Sequence, residues 1–244
     1  MSELDPRLTK AVTAHSSIVA ALNLIHSLRT RGLRRTLLFT ALGNGIPILG
    51  ELLAIHVLKL LRHHIQPQIS GVPLAVALGW YNVGYGTLAT VNGAFNAGDK
   101  PRERKGQIPI VALAATSFDL LLDPFGLDLG LWEWSEGGPY APDVKGSNGK
   151  RGIPMLNFAG WIVLTTSVML AYQFLPTRGN AADAAGSQNG GGPGAERSAA
   201  LLLFSYYLPA AAWAMKRGRR RYFLYSAPFA TALWTALWGR STAP

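Results

Sequence analysis

Long apolar runs, rather than short alternating patterns, dominate the order of hydrophobic and polar positions along this chain. Most of them approach the roughly 20 residues that a helix needs to cross a lipid bilayer. The pattern predicts six or seven membrane-spanning helices, at 11–28, 36–61, 72–95, 108–122, 153–175, 198–215 and 222–238. The run at 11–28 is the most polar of them. The fold class that this indicates is an all-α, polytopic transmembrane helix bundle.

Two features modify this simple picture. The second run contains Gly43, Gly45 and Pro47, and proline removes a helical hydrogen bond, so we expect a kink there. The segment 179–194 is rich in glycine and small polar residues, which predicts a flexible loop. We therefore expect a single integral membrane domain over 1–244, with that loop inside it.

Composition and charge agree with a membrane protein. Charged residues make up only 15% of the 244 residues and hydrophobic ones 49%, whereas soluble domains carry about 25% charged residues. The net charge of +10 does not indicate nucleic-acid binding, because the basic residues sit in clusters between apolar runs, as cytoplasmic loops do. These clusters are Arg29, Arg31, Arg34 and Arg35; Lys100, Arg102, Arg104 and Lys105; and Lys216, Arg217, Arg219, Arg220 and Arg221.

The charge clusters also predict a topology for a multi-pass protein of the cell membrane. The polar first ten residues do not resemble a signal peptide, so the first span would direct insertion. Charge bias assigns the loops before Thr36, around Arg102 and around Arg219 to one side. Three predicted spans separate the last two loops, however, where an even number is required. Either one segment crosses incompletely, or 124–134 forms an extra partial helix.

Two carboxylates interrupt the apolar run at 108–122 and its border. Asp119 and Asp123 are four residues apart, which places both on one face of a helix. A charge at the bilayer centre costs about 2.5–3.5 kcal/mol, so we expect at least one of the pair to be protonated and able to act as a general acid. Alternatively, Asp123 caps the turn at Pro124 and Asp119 bonds a neighbouring helix. Glu51 is a third carboxylate within an apolar run.

Aromatic residues follow the acidic pair directly. Trp132, Trp134 and Tyr140 are either an interfacial aromatic belt or the lining of an apolar pocket, where ring faces would stabilise a cation. The chain has no cysteine, and its histidines are scattered apart from the neighbours His63 and His64. We therefore expect no disulfide, no metal site and no redox cofactor.

The stretch "FDLLLDPFGLDLGLWEWSEGGPY", followed by "GIPMLNFAGW", resembles the signature of the membrane-bound carotenoid 1,2-hydratase family of the γ-carotene and bacterioruberin pathways. Upstream, Glu51 and the segment "ISGVPLAVALGWYNVGY", which contains Trp80, also look like family elements. The resemblance covers roughly residues 45–170. The matching residues in the central part are Asp119, Asp123, Pro124, Gly130, Trp132, Trp134, Gly138, Tyr140, Pro154, Asn157, Phe158, Gly160 and Trp161.

The chain departs from the family pattern in two places. An insert at 141–151, "APDVKGSNGKR", separates two elements that the family usually joins directly. The segment after Glu51 reads "AIHVLKLLRHH" and lacks the usual Thr-Gly, Phe-Gly and Tyr-x-Tyr elements.

The resemblance implies a hydro-lyase that adds water across the terminal 1,2 double bond of an acyclic or monocyclic carotenoid, reached through membrane lipid. Asp119 would be the acid, and Asp123 or Glu51 the base. The implied substrate-binding residues are Trp132, Trp134, Tyr140, Asn157, Trp161 and Trp80. Two alternatives stay open. One is a non-catalytic protein that binds carotenoid or supports a pigment complex. The other is a prenyltransferase-like enzyme, because the Asp119–Asp123 spacing matches one aspartate motif of that class, although no second motif is found.

Overall fold

The computed structural model describes residues 4–95, 101–175 and 193–238. Within these ranges the prediction of an all-α helix bundle is confirmed. The seven described α-helices are α1 Pro6–Leu52, α2 Leu74–Ala94, α3 Pro101–Asp128, α4 Met155–Phe174, α5 Pro193–Lys216, α6 Arg220–Tyr225 and α7 Ala227–Trp238. A π-helical turn at Leu53–Val57 extends α1. The flexible loop predicted at 179–194 lies outside the described residues, except for the two residues that begin α5.

Helix α1 is a hairpin of two helical segments, with the reversal at Gly32. Gly32 has φ +76° and ψ 168°, a region that only glycine occupies without strain. Ser27 Oγ lies 2.9 Å from Thr36 Oγ1, whereas nine residues of straight helix would separate them by about 14 Å. Within α1 the backbone departs from helical angles at Gly32, while Pro47 has helical angles, so the bend expected at Gly43–Pro47 stays a prediction.

The helices run alternately between two ends of the bundle, which we name the Pro101 end and the Asp128 end after the ends of α3. At the Pro101 end, Arg31 beside the Gly32 turn pairs with Glu196 of α5 at 2.8 Å. At the Asp128 end, Arg219 Nη1 lies 3.0 Å from Asp128 Oδ1. The basic clusters around Arg102 and Arg219 are therefore at opposite ends, and the prediction that they share one side is wrong.

The physical reason lies in the partners of the second cluster. Arg219 and Arg221 form ion pairs with Asp128 and Asp143, so these cations hold the fold together at the Asp128 end. The topology prediction counted positive residues only and did not include their pairing with Asp128 and Asp143. Helices α3, α4 and α5 account for the odd number of spans between the clusters.

Four described helical segments are long enough and apolar enough to cross a membrane: Pro6–Val57, Gly106–Asp128, Met155–Phe174 and Glu196–Lys216. The predicted last span divides into the short α6 and the 12-residue α7. Large apolar side chains such as Leu49, Val163 and Trp234 remain more than half exposed on the outside of the bundle. An apolar outer surface of this kind suits contact with lipid.

Six short strands, which the sequence pattern did not predict, form three antiparallel pairs. β1 Leu61–His63 pairs with β4 Trp132–Trp134, placing His63 opposite Trp132. β2 Gln68–Ile69 pairs with β3 Val72–Pro73. β5 Tyr140–Lys145 pairs with β6 Arg151–Ile153, so the insert at 141–151 folds as a β-hairpin. These pairs connect helix ends at the Asp128 end, and they bring the segment after Glu51 against the tryptophan motif.

Candidate active site

A cavity of about 370 Å³ lies between the helices, near the Asp128 end. Its size falls in the range of ligand pockets, roughly 300–1,000 Å³. Apolar and aromatic side chains from α1, α2, α3, α4 and α5, together with β1 and β4, form most of its wall. Eight of the residues singled out in the sequence line it: Glu51, Trp80, Asp119, Asp123, Trp132, Trp134, Asn157 and Trp161.

Asp119 and Asp123 are joined by one amide. Both carboxylates are buried on the same face of α3. Asn157, near the start of α4, donates from Nδ2 to Asp119 Oδ2 at 2.9 Å and to Asp123 Oδ2 at 2.8 Å. The i, i+4 spacing in α3 therefore gives the two carboxylates a common partner on a neighbouring helix. Such a pair can hold a proton on one oxygen while the other group stays charged.

Asp123 has a second donor. The indole N–H of Trp132 donates to Asp123 Oδ1 at 2.5 Å. Trp132 is in β4, whose pairing with β1 sets the direction of its side chain. Among the described residues, the hydrogen bond that Asp119 accepts comes from Asn157 alone. The two carboxylates therefore differ in environment, and additional donors stabilise the charged form of Asp123 more than that of Asp119.

Glu51 forms the other polar part of the cavity wall. Its Oε1 accepts from Trp80 Nε1 at 2.8 Å, and its Oε2 lies 2.9 Å from His63 Nε2. Trp80 stacks on Trp161, with ring centroids 3.9 Å apart. The stacked pair presents aromatic surface to the cavity directly beside a buried carboxylate.

His63 is a cavity residue that the sequence reading missed. It lines the wall, is 8% exposed and binds Glu51. Its sequence signal was weak, because the neighbours His63 and His64 resemble an ordinary polar loop. The strand pattern separates them: His63 faces inward in β1, while His64 lies 3.3 Å from Glu133 near the insert hairpin.

Glu133 lies between Trp132 and Trp134 and is held by the insert hairpin. Ser147 Oγ donates to Glu133 Oε2 at 2.5 Å. Burial by itself would raise the pKa of Glu133, but the hydrogen bonds from Ser147 and His64 hold that pKa below its usual value. These hydrogen bonds attach the hairpin to β4, the strand that contains Trp132 and Trp134 of the cavity wall.

Tyr140 packs against α3 near Asp119 but outside the cavity wall. Its hydroxyl donates to Leu120 O at 2.6 Å, and its ring packs edge-on against Phe158 and Tyr222. Burial, and then the neighbouring Tyr222, raises the pKa of Tyr140 well above its ordinary value. In this arrangement Tyr140 supports α3 from behind the carboxylate pair.

Among the described residues, no group of three or more His, Asp or Glu side chains is arranged to hold a metal ion. The polar groups of the cavity wall are instead suited to proton transfer. They comprise two carboxylates that share an amide, and a third carboxylate that is paired with an imidazole.

Comparison with known proteins identifies the family. Neither the curated proteins nor the solved structures contain a match to this chain. The family model described as "Carotenoid biosynthesis protein" matches residues 12–215. That range includes every residue of the cavity wall except those before position 12. The chain thus belongs to the carotenoid biosynthesis protein family.

Proposed function

We propose that this protein is a carotenoid 1,2-hydratase of the cell membrane, which adds water to the terminal double bond of an acyclic carotenoid end. One observation carries the proposal: the carboxylates of Asp119 and Asp123 share Asn157 in the wall of an apolar cavity. Membership of the carotenoid biosynthesis family supports a carotenoid as substrate. An apolar cavity binds the hydrocarbon, while the carboxylates supply the proton that hydration requires.

The first step is protonation of the alkene. Asp119, as a carboxylic acid, gives its proton to the secondary carbon C2, and the π electrons form the new C–H bond. The tertiary carbon C1, which carries two methyl groups, becomes a cation. Asp119 suits this role because it accepts fewer hydrogen bonds than Asp123, so its neutral form is favoured relative to that of its neighbour.

The second step is capture of the cation by water. The water oxygen bonds to C1, and a basic group of the cavity wall receives the proton that the water loses, a role for which the sequence offers Asp123 or Glu51. Before capture, the cation lies among the aromatic faces of Trp132, Trp134 and Trp161, which stabilise positive charge. Trp80 extends this surface by stacking on Trp161. The proton gained by the base later restores the acid on Asp119, so the net reaction adds one H₂O.

The apolar exterior of the bundle fits delivery of the substrate from lipid. Four described segments are able to cross a membrane, and their outward faces carry exposed leucine and valine. A carotenoid is as apolar as lipid tails, so it would enter the cavity between helices while its remaining length stays in the bilayer. In this proposal the protein is a multi-pass membrane enzyme.

The experiment is expression in cells that accumulate lycopene or γ-carotene, followed by mass analysis of the pigments. We expect a product one water heavier, and Asp119→Asn should lower its formation by at least about 100-fold, the usual contribution of a general acid. Glu136→Gln is the control for loss of a carboxylate, because the Glu136 side chain is 80% exposed and does not line the cavity. Pigment that co-purifies unaltered with both wild type and Asp119→Asn would instead indicate a carotenoid-binding protein.

A further inference from the structure

We propose that His63 is a catalytic residue that takes the proton from the attacking water, with Glu51 as its positioning partner. This inference rests on the proposed hydration and identifies the group that contacts the nucleophile. Neither the tryptophan motif nor the acidic pair includes His63.

The orientation of the imidazole follows from its partner. His63 Nε2 is 2.9 Å from Glu51 Oε2. An ionised carboxylate only accepts hydrogen bonds, so Nε2 carries the proton. In the neutral ring Nδ1 then has a lone pair that can accept a proton. A carboxylate that holds one ring nitrogen fixes both the tautomer and the direction in which the other nitrogen points.

The second nitrogen, His63 Nδ1, is buried and lacks a hydrogen-bond partner among the described residues. Buried polar atoms normally have a partner, either in the protein or in an ordered water. Since His63 lines the cavity, a water bound at Nδ1 would satisfy this atom and lie beside the substrate.

The strand pairing places His63 next to the cation-stabilising surface. In the antiparallel pair of β1 and β4, His63 is directly opposite Trp132, and the two rings meet edge to face with centroids 6.2 Å apart. Trp132 in turn binds Asp123. The imidazole and the Asp123 carboxylate therefore contact the same indole, which suits proton delivery and water attack by separate groups.

Asp123 is less suited to be the base. Each of its oxygens already accepts a hydrogen bond, from Trp132 at Oδ1 and from Asn157 at Oδ2. These bonds lower its tendency to accept a proton. His63 Nδ1 has no such competing donor among the described groups.

Capture of the cation transfers one proton from water to His63. A lone pair of the water oxygen forms the C–O bond to cationic C1, an O–H bond of that water breaks, and its proton bonds to His63 Nδ1. The resulting imidazolium is paired with the Glu51 carboxylate. It then releases the proton, which returns to the Asp119 carboxylate and restores both groups.

The test compares hydration with hydrogen exchange in D₂O. His63→Gln keeps an N–H donor for Glu51 but lacks a basic nitrogen. We expect it to lower hydration by at least about 100-fold. Asp119 should still protonate the alkene, so the uncaptured cation loses a proton again. The recovered carotenoid should therefore gain deuterium at C2 or at the methyl groups on C1, because the cation loses a proton from any of these carbons. Glu51→Gln, which removes the charge behind the imidazole, should also lower hydration while exchange continues.

The outcomes separate this inference from the function beneath it. A wild-type protein that gives no hydrated product overturns the proposed hydratase itself. Near-wild-type hydration by His63→Gln overturns only the role of His63. That role is also overturned if His63→Gln and Glu51→Gln accumulate normally in the membrane but lose both hydration and hydrogen exchange. His64→Gln is the matched control, because it changes the adjacent histidine outside the cavity wall, and we expect it to keep hydration.

Discussion

The indole of Trp132 lies directly against the backbone of Gly126. A Cβ atom added to Gly126 would be 2.1 Å from Trp132 Cζ2 and 2.2 Å from Cη2. The same indole donates its N–H to Asp123. Because Gly126 has no side chain, the indole of Trp132 can pack against α3 and reach Asp123.

Gly126→Ala should disturb both stability and catalysis. The methyl group forces the indole away and breaks its hydrogen bond to Asp123. Overpacking of this kind costs about 1–3 kcal/mol. We expect a lower melting temperature in detergent and less hydrated carotenoid. Gly106→Ala in the same helix is the control, because nothing lies within 4 Å of its Cβ position. Equal behaviour of the two variants would contradict the proposed constraint.

Asn157→Leu tests the amide shared by the acidic pair. Leucine has a similar size but no donor, so both carboxylates lose a hydrogen bond. A hydrogen bond to a charged group contributes about 1.5–3 kcal/mol. We expect hydrated product, measured per amount of membrane protein, to fall by about 10- to 100-fold. The control is Asn44→Leu, since the Asn44 amide donates to Thr40 O of its own helix and contacts neither carboxylate among the described hydrogen bonds. Undiminished product from Asn157→Leu would show that the bridge is dispensable.

Gly32→Ala tests the reversal within α1. The backbone angles of Gly32 are strained for any residue with a Cβ, at a cost of about 1–3 kcal/mol. We expect less protein in the membrane fraction and a lower melting temperature. Gly45→Ala, at a helical position with nothing within 4 Å, should be neutral or slightly stabilising. If Gly32→Ala had the same membrane accumulation and melting temperature as Gly45→Ala, the reversal of α1 at position 32 would not require glycine.

Acidification should release the insert hairpin from β4. The folded pKa of Glu133 is depressed by the bonds from Ser147 and His64, which outweigh the opposite effect of burial. The stabilisation is therefore present above the ordinary glutamate pKa of about 4.3 and is lost as pH falls through the lower folded value. We expect the Gly146 amide, bonded to Lys150 O, to lose hydrogen-exchange protection as the pH falls below about 4.3, after correction for intrinsic rates.

Two serine variants sharpen this measurement. Ser147→Ala should weaken protection at neutral pH and reduce its dependence on pH, because it removes the donor to Glu133. Ser135→Ala is the control, since Ser135 Oγ donates to the neutral carbonyl of Lys59 and its loss should act equally across the pH range. A full pH response in Ser147→Ala would mean that another group holds the hairpin.

Local patterns in the sequence were sufficient to predict the helices and to identify many of the residues that line the cavity. Apolar runs of span length predicted the bundle because helix formation and membrane burial depend on neighbouring residues. The four-residue spacing of Asp119 and Asp123 placed both on one helical face for the same reason. The family motif named eight residues that line the cavity.

Contacts between distant segments were decided only by the tertiary structure. His63 of β1 lies opposite Trp132 and binds Glu51, while Tyr140 binds Leu120 O outside the cavity wall. The ion pair of Arg219 likewise depends on Asp128, which is 91 residues away along the chain. The sequence by itself determined the helices and the acidic face of α3, because these arise from residues within a few turns. Strand register and pairing of charges arise from segments dozens of residues apart, so only the folded chain assembled the polar groups of the cavity.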